Sequence, residues 1–302
     1  MKVEKQNSLK DIFNNYCEIR MLKIFLLGCI SGFPWVLIGS SLSLWLKEEG
    51  LSRSTIGWAG LIFAVYAFNY LWAPFVDRLK IPFLTKKIGH RKSWIFMMQS
   101  IIIVCLIIWS FINPSNNLFL IIFVGLIIAI CSSSQDITID ALRIEQIGPN
   151  EKSAMAAGAS VAVIGWWSGY KLGGMFSLSF SEYFQSLNYE NYWQITFVTM
   201  IFIVLFFNFC LLFLKEESFK TKQNAHIKLD KDIQKTLGAN NKLNFFLSWV
   251  SSTILGPILS FFKKNGFSIA LGILGFVFLF KVGEAFLGRM SIIFYKEIGF
   301  SK

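Results

Sequence analysis

The chain has 302 residues, 54% of them hydrophobic, with 32 phenylalanines, a mean hydropathy of +0.55 and a formal net charge of +11. A soluble domain averages about 45–50% apolar residues even with glycine counted; here the excess falls in blocks of about 20, the length that crosses about 30 Å of hydrocarbon. The composition excludes an ordinary soluble domain and predicts an all-α polytopic membrane protein. Five scattered cysteines (Cys17, Cys29, Cys105, Cys131, Cys210) and two isolated histidines (His90, His226) give no metal-ligand spacing. With no nucleophile–base pair or phosphate loop either, no enzyme, metal or cofactor is expected.

In chain order, a polar segment over 1–20 leads into a first span at 21–46, which carries Gly28, Gly32, Pro34 and Gly39. That span is too long for the apolar core of a cleavable signal. A proline inside a span removes one backbone hydrogen bond and kinks the helix. A second span at 56–75 ends in Asp77-Arg78 and a basic loop, and a third follows at 94–112. The fourth covers 118–139, the fifth 155–180 and the sixth 193–214. A long polar loop then precedes a seventh span at 269–295. The stretch 243–262, with Ser248, Ser251, Ser252, Gly256 and Pro257 ahead of Lys263-Lys264, reads as an amphipathic helix on the membrane surface, a true span being the alternative.

With the N-terminus inside, 22 of the 29 lysines and arginines fall in inner segments and 4 in outer ones. The positive-inside rule thus sets a cytoplasmic N-terminus, and it accounts for the basic balance without nucleic acid.

Asp136 and Asp140 stand four residues apart at the end of span 4 and share one helical face. At 1.5 Å per residue, Asp136 is expected about 27 Å beyond Leu118, near the inner boundary, and Lys171 about 24 Å above Met155. Glu284, about 22 Å above Ile269, would then lie level with Lys171 and be able to pair with it. Crowding and burial raise carboxylate pKa values, so the Asp pair reads as a proton-coupling or inner-gate site. The other reading is a structural pair with Arg143 or the basic loop. Charges inside a span are costly, so Lys171 and Glu284 read as substrate or gate residues, and a local Glu284–Lys281 pair is the plainer alternative. Gly165, Gly169 and Gly173 make a flat packing face on span 5, and Gly32 and Pro34 read as helix-packing positions on span 1. Trp35, Trp166, Trp167 and Tyr170 sit at mid-depth, where rings line a sugar cavity or simply pack.

Residues 295–302 echo residues 46–53, Leu46-Lys47-Glu48-Glu49-Gly50-Leu51-Ser52-Arg53, after six spans and a central basic loop. Two parallel six-helix halves produce such a repeat, and the second copy stops after one span. The expected units are a polar N-terminus (1–20), a six-helix half (21–214), a linker with a surface helix (215–266) and the first helix of a truncated second half (267–302).

This pattern resembles the major facilitator superfamily, here with about seven of its twelve helices. Asp77-Arg78 with Gly89-His90-Arg91-Lys92 is similar to the superfamily's signature loop, stretched by residues 79–88. The resemblance narrows to AmpG-type muropeptide permeases, near the acetyl-CoA transporter group, on four stretches. These are Ser31-Gly32-Phe33-Pro34; Ser134-Gln135-Asp136 with Asp140-Ala141-Leu142-Arg143; Gly169-Tyr170-Lys171-Leu172-Gly173; and Phe280-Lys281-Val282-Gly283-Glu284. Lys171 stands where that family more often has Arg. The resemblance implies proton-driven import of anhydromuropeptides across a bacterial inner membrane, with Gln135 and Lys281 among the substrate-facing residues and the proton gradient replacing any cofactor. It also implies that the glycine face of span 5 meets span 8. Another anionic solute, such as an acyl-CoA or peptide–sugar conjugate, or a non-transporting remnant, are the alternatives.

Overall fold

A computed structural model describes residues 15–147, 151–214, 216, 256–280 and 298. Lys281, Glu284, the repeat after span 7 and most of the 243–262 stretch lie outside the described residues. Among the described residues six long helices carry the fold: α1 (Ile19–Glu48), α2 (Arg53–Leu71), α3 (His90–Trp109), α4 (Pro114–Glu145), α5 (Lys152–Ser186) and α6 (Tyr192–Leu212). Five of them, α1 to α4 and α6, are long and apolar enough to cross a membrane. The remaining one, α5, matches them in length at 35 residues and carries glycines and serines along much of its surface. Shorter helices span Ala73–Arg78, Leu84–Ile88, Gly256–Asn265 and Phe267–Phe280.

Local sequence explains several boundaries. Ser52 caps α2 by accepting from the Thr55 amide (3.1 Å), and Asn113 caps α4 through the Ser115 amide (2.9 Å), with Pro114 at the first helical position. α1 contains Pro34 and changes to a π-helical turn at Leu37–Ser41 before resuming. α2 is the irregular member, with tighter 3-10 turns at Gly60–Ala64 and Asn69–Leu71. The expected single span 56–75 is therefore broken at Trp72, where Ala73–Arg78 begins a new helix.

The closest helix pair is α1 with α5. A Cβ on Gly32 would collide with the Trp166 carbonyl, one on Gly165 with that of Phe25, and one on Gly169 with that of Cys29. The two backbones touch, which only glycine allows. Gly173 sits against the Phe33 ring. The face that the family resemblance assigned to span 8 is thus filled by α1, whose own Gly28 and Gly32 complete it. Ser41 and Ser177 add a buried hydroxyl–hydroxyl bond of 2.7 Å between the same helices.

Both α1 and α5 start at the end of the bundle that also holds the C-terminus of α4. At the opposite end Trp45 meets Trp109 and Phe197 edge to face and those two rings tilt against each other, with centroids 4.9–6.0 Å apart. There the Glu48 carboxylate accepts from the Tyr192 hydroxyl (3.0 Å) and from Trp193 Nε1 (2.8 Å), tying α1 to α6.

Candidate functional site: an acid and aromatic cavity

A cavity of about 420 Å³ opens between α1, α2, α4 and α5. Its walls include Ser31, Trp35, Tyr66, Asn69, Asp136, Asp140, Arg143, Trp166 and Trp167. α1 supplies Ser31 and Trp35 one turn apart on either side of Pro34's break; α2 supplies Tyr66 and Asn69 at i,i+3; α4 supplies the acids.

Asp136 accepts a 2.6 Å bond from the Ser31 hydroxyl. Ser31 lies 12 residues into α1, about 18 Å from Ile19, and is level with Trp166. This corrects the expectation that Asp136 lies near the inner boundary. Counting from Leu118 takes the helix to end with the membrane, whereas α4 continues to Glu145, about 9 Å past residue 139. The acid and the aromatics share one cavity.

Asp136 and Asp140 both line that cavity, but each has its own partner. Asp140 pairs with Arg143 at 3.0 Å on the same helix, and its side chain is 66% exposed. Gln135, the neighbour of Asp136, does not line the cavity; fully buried against α1, it donates to the Ile30 carbonyl at 2.8 Å.

Trp35 is the hub of the aromatic wall, with Phe63, Tyr66 and Trp166 rings at 4.7, 4.8 and 5.5 Å. Its Nε1 is buried with no hydrogen-bond partner among the described residues. Trp166 stacks on Tyr170 at 5.7 Å and meets Trp167 edge-on at 5.2 Å. Lys171 does not line the cavity. It is exposed, with its ammonium 5.6 Å from both the Trp167 and Tyr170 ring centroids, within cation–π range.

The signature-loop residues gather at the basic end. Arg91 pairs with Asp77 and, at 3.4 Å, with Glu145. Glu216 accepts from the Arg91 and Lys92 amides (2.7 and 3.1 Å), an anion on the N-terminus of α3. Burial pushes the Glu216 carboxyl above its ordinary pKa, against the downward pull of those two amides. Lys92 donates to the Leu214 carbonyl at 2.8 Å. Gly89 has φ +103°, and a Cβ there would collide with the Glu216 carboxylate.

Sequence reasoning misses Ser31, Tyr66, Asn69, Glu145 and Glu216 as site residues. Tyr66 and Asn69 do carry a signal, as polar groups one turn apart within an apolar span. Glu216 carries none, being one acid in a charged stretch. Among the described residues no group of His, Cys, Asp and Glu is placed to hold a metal ion.

A Rickettsia conorii protein named "Putative transporter AmpG 4" is 32% identical over 291 residues, covering 96% of this chain and 62% of that protein. A second R. conorii protein, the similarly named AmpG 1, is 34% identical over 229 residues, 75% of this chain and 52% of its own length. The chain therefore spans only about three-fifths of the length of such relatives. The crystal structure of a D-xylose-proton symporter aligns over 92% of this chain and 68% of its own, at 14% identity and a TM-score of 0.43. The model of the Major Facilitator Superfamily matches residues 24–301. The chain is a multi-pass membrane protein, and it belongs to the major facilitator superfamily.

Proposed function

We propose that this chain is the N-terminal portion of a proton-coupled carrier that imports cell-wall-derived anhydromuropeptides across a bacterial inner membrane, with its N-terminus in the cytoplasm. The observation that carries the reading is the cavity in which Asp136 faces the Trp35, Tyr66 and Trp166 rings. Sugars are held by flat rings beneath their apolar faces and by carboxylates and indole N–H groups at their hydroxyls. The Trp35 N–H is such a donor, buried and unpartnered among the described residues. The similarity to AmpG-named transporters adds weight, as does the clustering of Lys and Arg at one end of the helices.

Asp136 is the proposed proton carrier. Ionised, it only accepts, and the Ser31 hydroxyl satisfies it; protonated, it gains a donor and the pair must re-aim. That swap links proton binding to the α1–α4 contact, which a carrier rocking between two orientations needs to bias. Asp140 and Arg143 form the gate at the cavity mouth. Lys171 holds a carboxylate of the peptide or lactyl group, Lys281 is a further substrate-binding cation, and Glu284 serves as a gate or second proton carrier. In this reading residues 21–214 are one half of the carrier, 215–266 the linker, and 267–302 the start of the other half.

The test is uptake of labelled anhydromuropeptide by proteoliposomes holding the carrier completed by its second half. Accumulation that collapses on adding an uncoupler supports the proposal. Uptake indifferent to the uncoupler removes proton coupling, and uptake of only another anionic solute removes the substrate.

A further inference from the structure

Residues 79–88, which lengthen the signature loop, do not line the cavity. They are part apolar and part basic. Phe83 is 83% exposed at φ +62°, an uncommon conformation for a bulky side chain, and Leu79 is also exposed. The short helix Leu84–Ile88 carries Lys86 and Lys87, both exposed, and Lys80 and Arg78 stand just before it. An exposed ring among lysines next to a membrane span is the composition of a segment that sits in the headgroup layer.

Beside it lies an apolar groove of about 640 Å³ between α2, α3 and α4. Its origin is the contrast between two helix pairs. α5 seats on α1 backbone to backbone through glycine, whereas α2 meets α4 through side chains and presents Leu61, Val65 and Phe68 toward the groove. The polar atoms of the wall are already paired: Trp72 Nε1 donates to the Ser134 hydroxyl (2.9 Å), which donates to the Ile130 carbonyl (2.7 Å). A hydrogen-bonding ligand gains nothing there; a hydrocarbon chain does. The groove runs past Phe75 and Val76 to the basic loop. At that end Trp94 of its wall donates to the Leu79 carbonyl (2.9 Å), fixing the start of the insert at the groove's mouth.

We propose that groove and insert together form a binding site for an anionic phospholipid. One acyl chain lies in the groove against Leu61, Phe68 and Met98, Lys86 and Lys87 hold the headgroup phosphate, and Phe83 enters the headgroup layer beside it. Charge complementarity selects the occupant: the groove alone accepts any lipid tail, and the lysines at its end select a negative headgroup. The site depends on the chain lying in a bilayer, not on what the cavity carries.

The experiment uses the full chain in phosphatidylcholine nanodiscs, doped at equal mole fraction with phosphatidylglycerol or phosphatidylcholine bearing a photoactivatable acyl chain. Cross-linked peptides are mapped by mass spectrometry. Labelling of peptides from α2 and α3 is expected to favour phosphatidylglycerol by about fivefold or more, the worth of one lysine near the surface. The Lys86→Gln/Lys87→Gln variant is expected to lose that preference, and Lys86→Arg/Lys87→Arg to keep it. The ratio between the two lipids is read within each protein, so it is independent of expression. Equal labelling by the two lipids, a preference that survives removal of both lysines, or groove cross-links to another protein segment or a second copy instead of lipid would overturn the proposal.

Discussion

Gln135 donates a 2.8 Å hydrogen bond to the carbonyl of Ile30, the acceptor that Pro34 leaves open. In a regular helix the amide of residue 34 would bond that oxygen, and proline has no N–H to give. α4 therefore repairs a gap in α1 across the bundle, and the repair holds Ser31 and Asp136, each the next residue along, in contact.

Gln135→Leu leaves a buried carbonyl unsatisfied and is expected to cost about 1–3 kcal/mol. Adding Pro34→Ala returns an amide to Ile30 and should recover most of the loss. Unfolding midpoints of the two single variants and the double variant, in one detergent, give the coupling. Additive losses would mean that the bond does not complete the helix.

The glycine faces make a graded prediction. Gly32→Ala and Gly169→Ala drive a methyl into a carbonyl of the facing helix and should each destabilise by about 1–3 kcal/mol. Gly174, on α5 like Gly169, has open space where a methyl would stand, with no atom within 4 Å, so Gly174→Ala should be neutral or slightly stabilising through helix propensity. Equal losses at all three positions would show that the contact between α1 and α5 does not set the cost.

Much of this architecture is legible in the residues alone. Apolar blocks mark where the helices run, and Gly165, Gly169 and Gly173 announce a flat face because every fourth residue of a helix returns to nearly the same side. What meets that face is not legible: Gly32 of α1 reads as a packing residue, but no local pattern pairs it with α5, 134 positions from Trp166. Depth also misleads, since hydropathy marks the apolar stretch of α4 and not its end at Glu145, which puts Asp136 too close to the inner boundary. Long-range polar partners such as Ser31 for Asp136 leave no local pattern, being 105 positions apart.

Glu216 supplies a pH prediction. Burial raises its folded-state pKa above the ordinary value of 4.5, so the fold binds this proton more readily than the unfolded chain does. Its contribution to stability is fully present below the unfolded pKa and is lost as pH rises through the folded one. Glu216→Gln keeps a carbonyl acceptor for the Arg91 or Lys92 amide and removes the titration. Stability relative to this variant should therefore fall as pH is raised from about 4.5 toward neutrality. A difference that stays flat or grows with pH would place the amide bonds above burial in setting this group.

The most direct measurement is pH-gradient-driven uptake of labelled anhydromuropeptide by the completed carrier carrying Asp136→Asn. Asn keeps the size of Asp136 and an acceptor for the Ser31 hydroxyl, so helix content and unfolding midpoint should change little, while the response of uptake to an imposed pH gradient should disappear. Uptake that still follows the gradient in the variant would contradict the account, because the proton would then be carried elsewhere than in the Asp136 cavity.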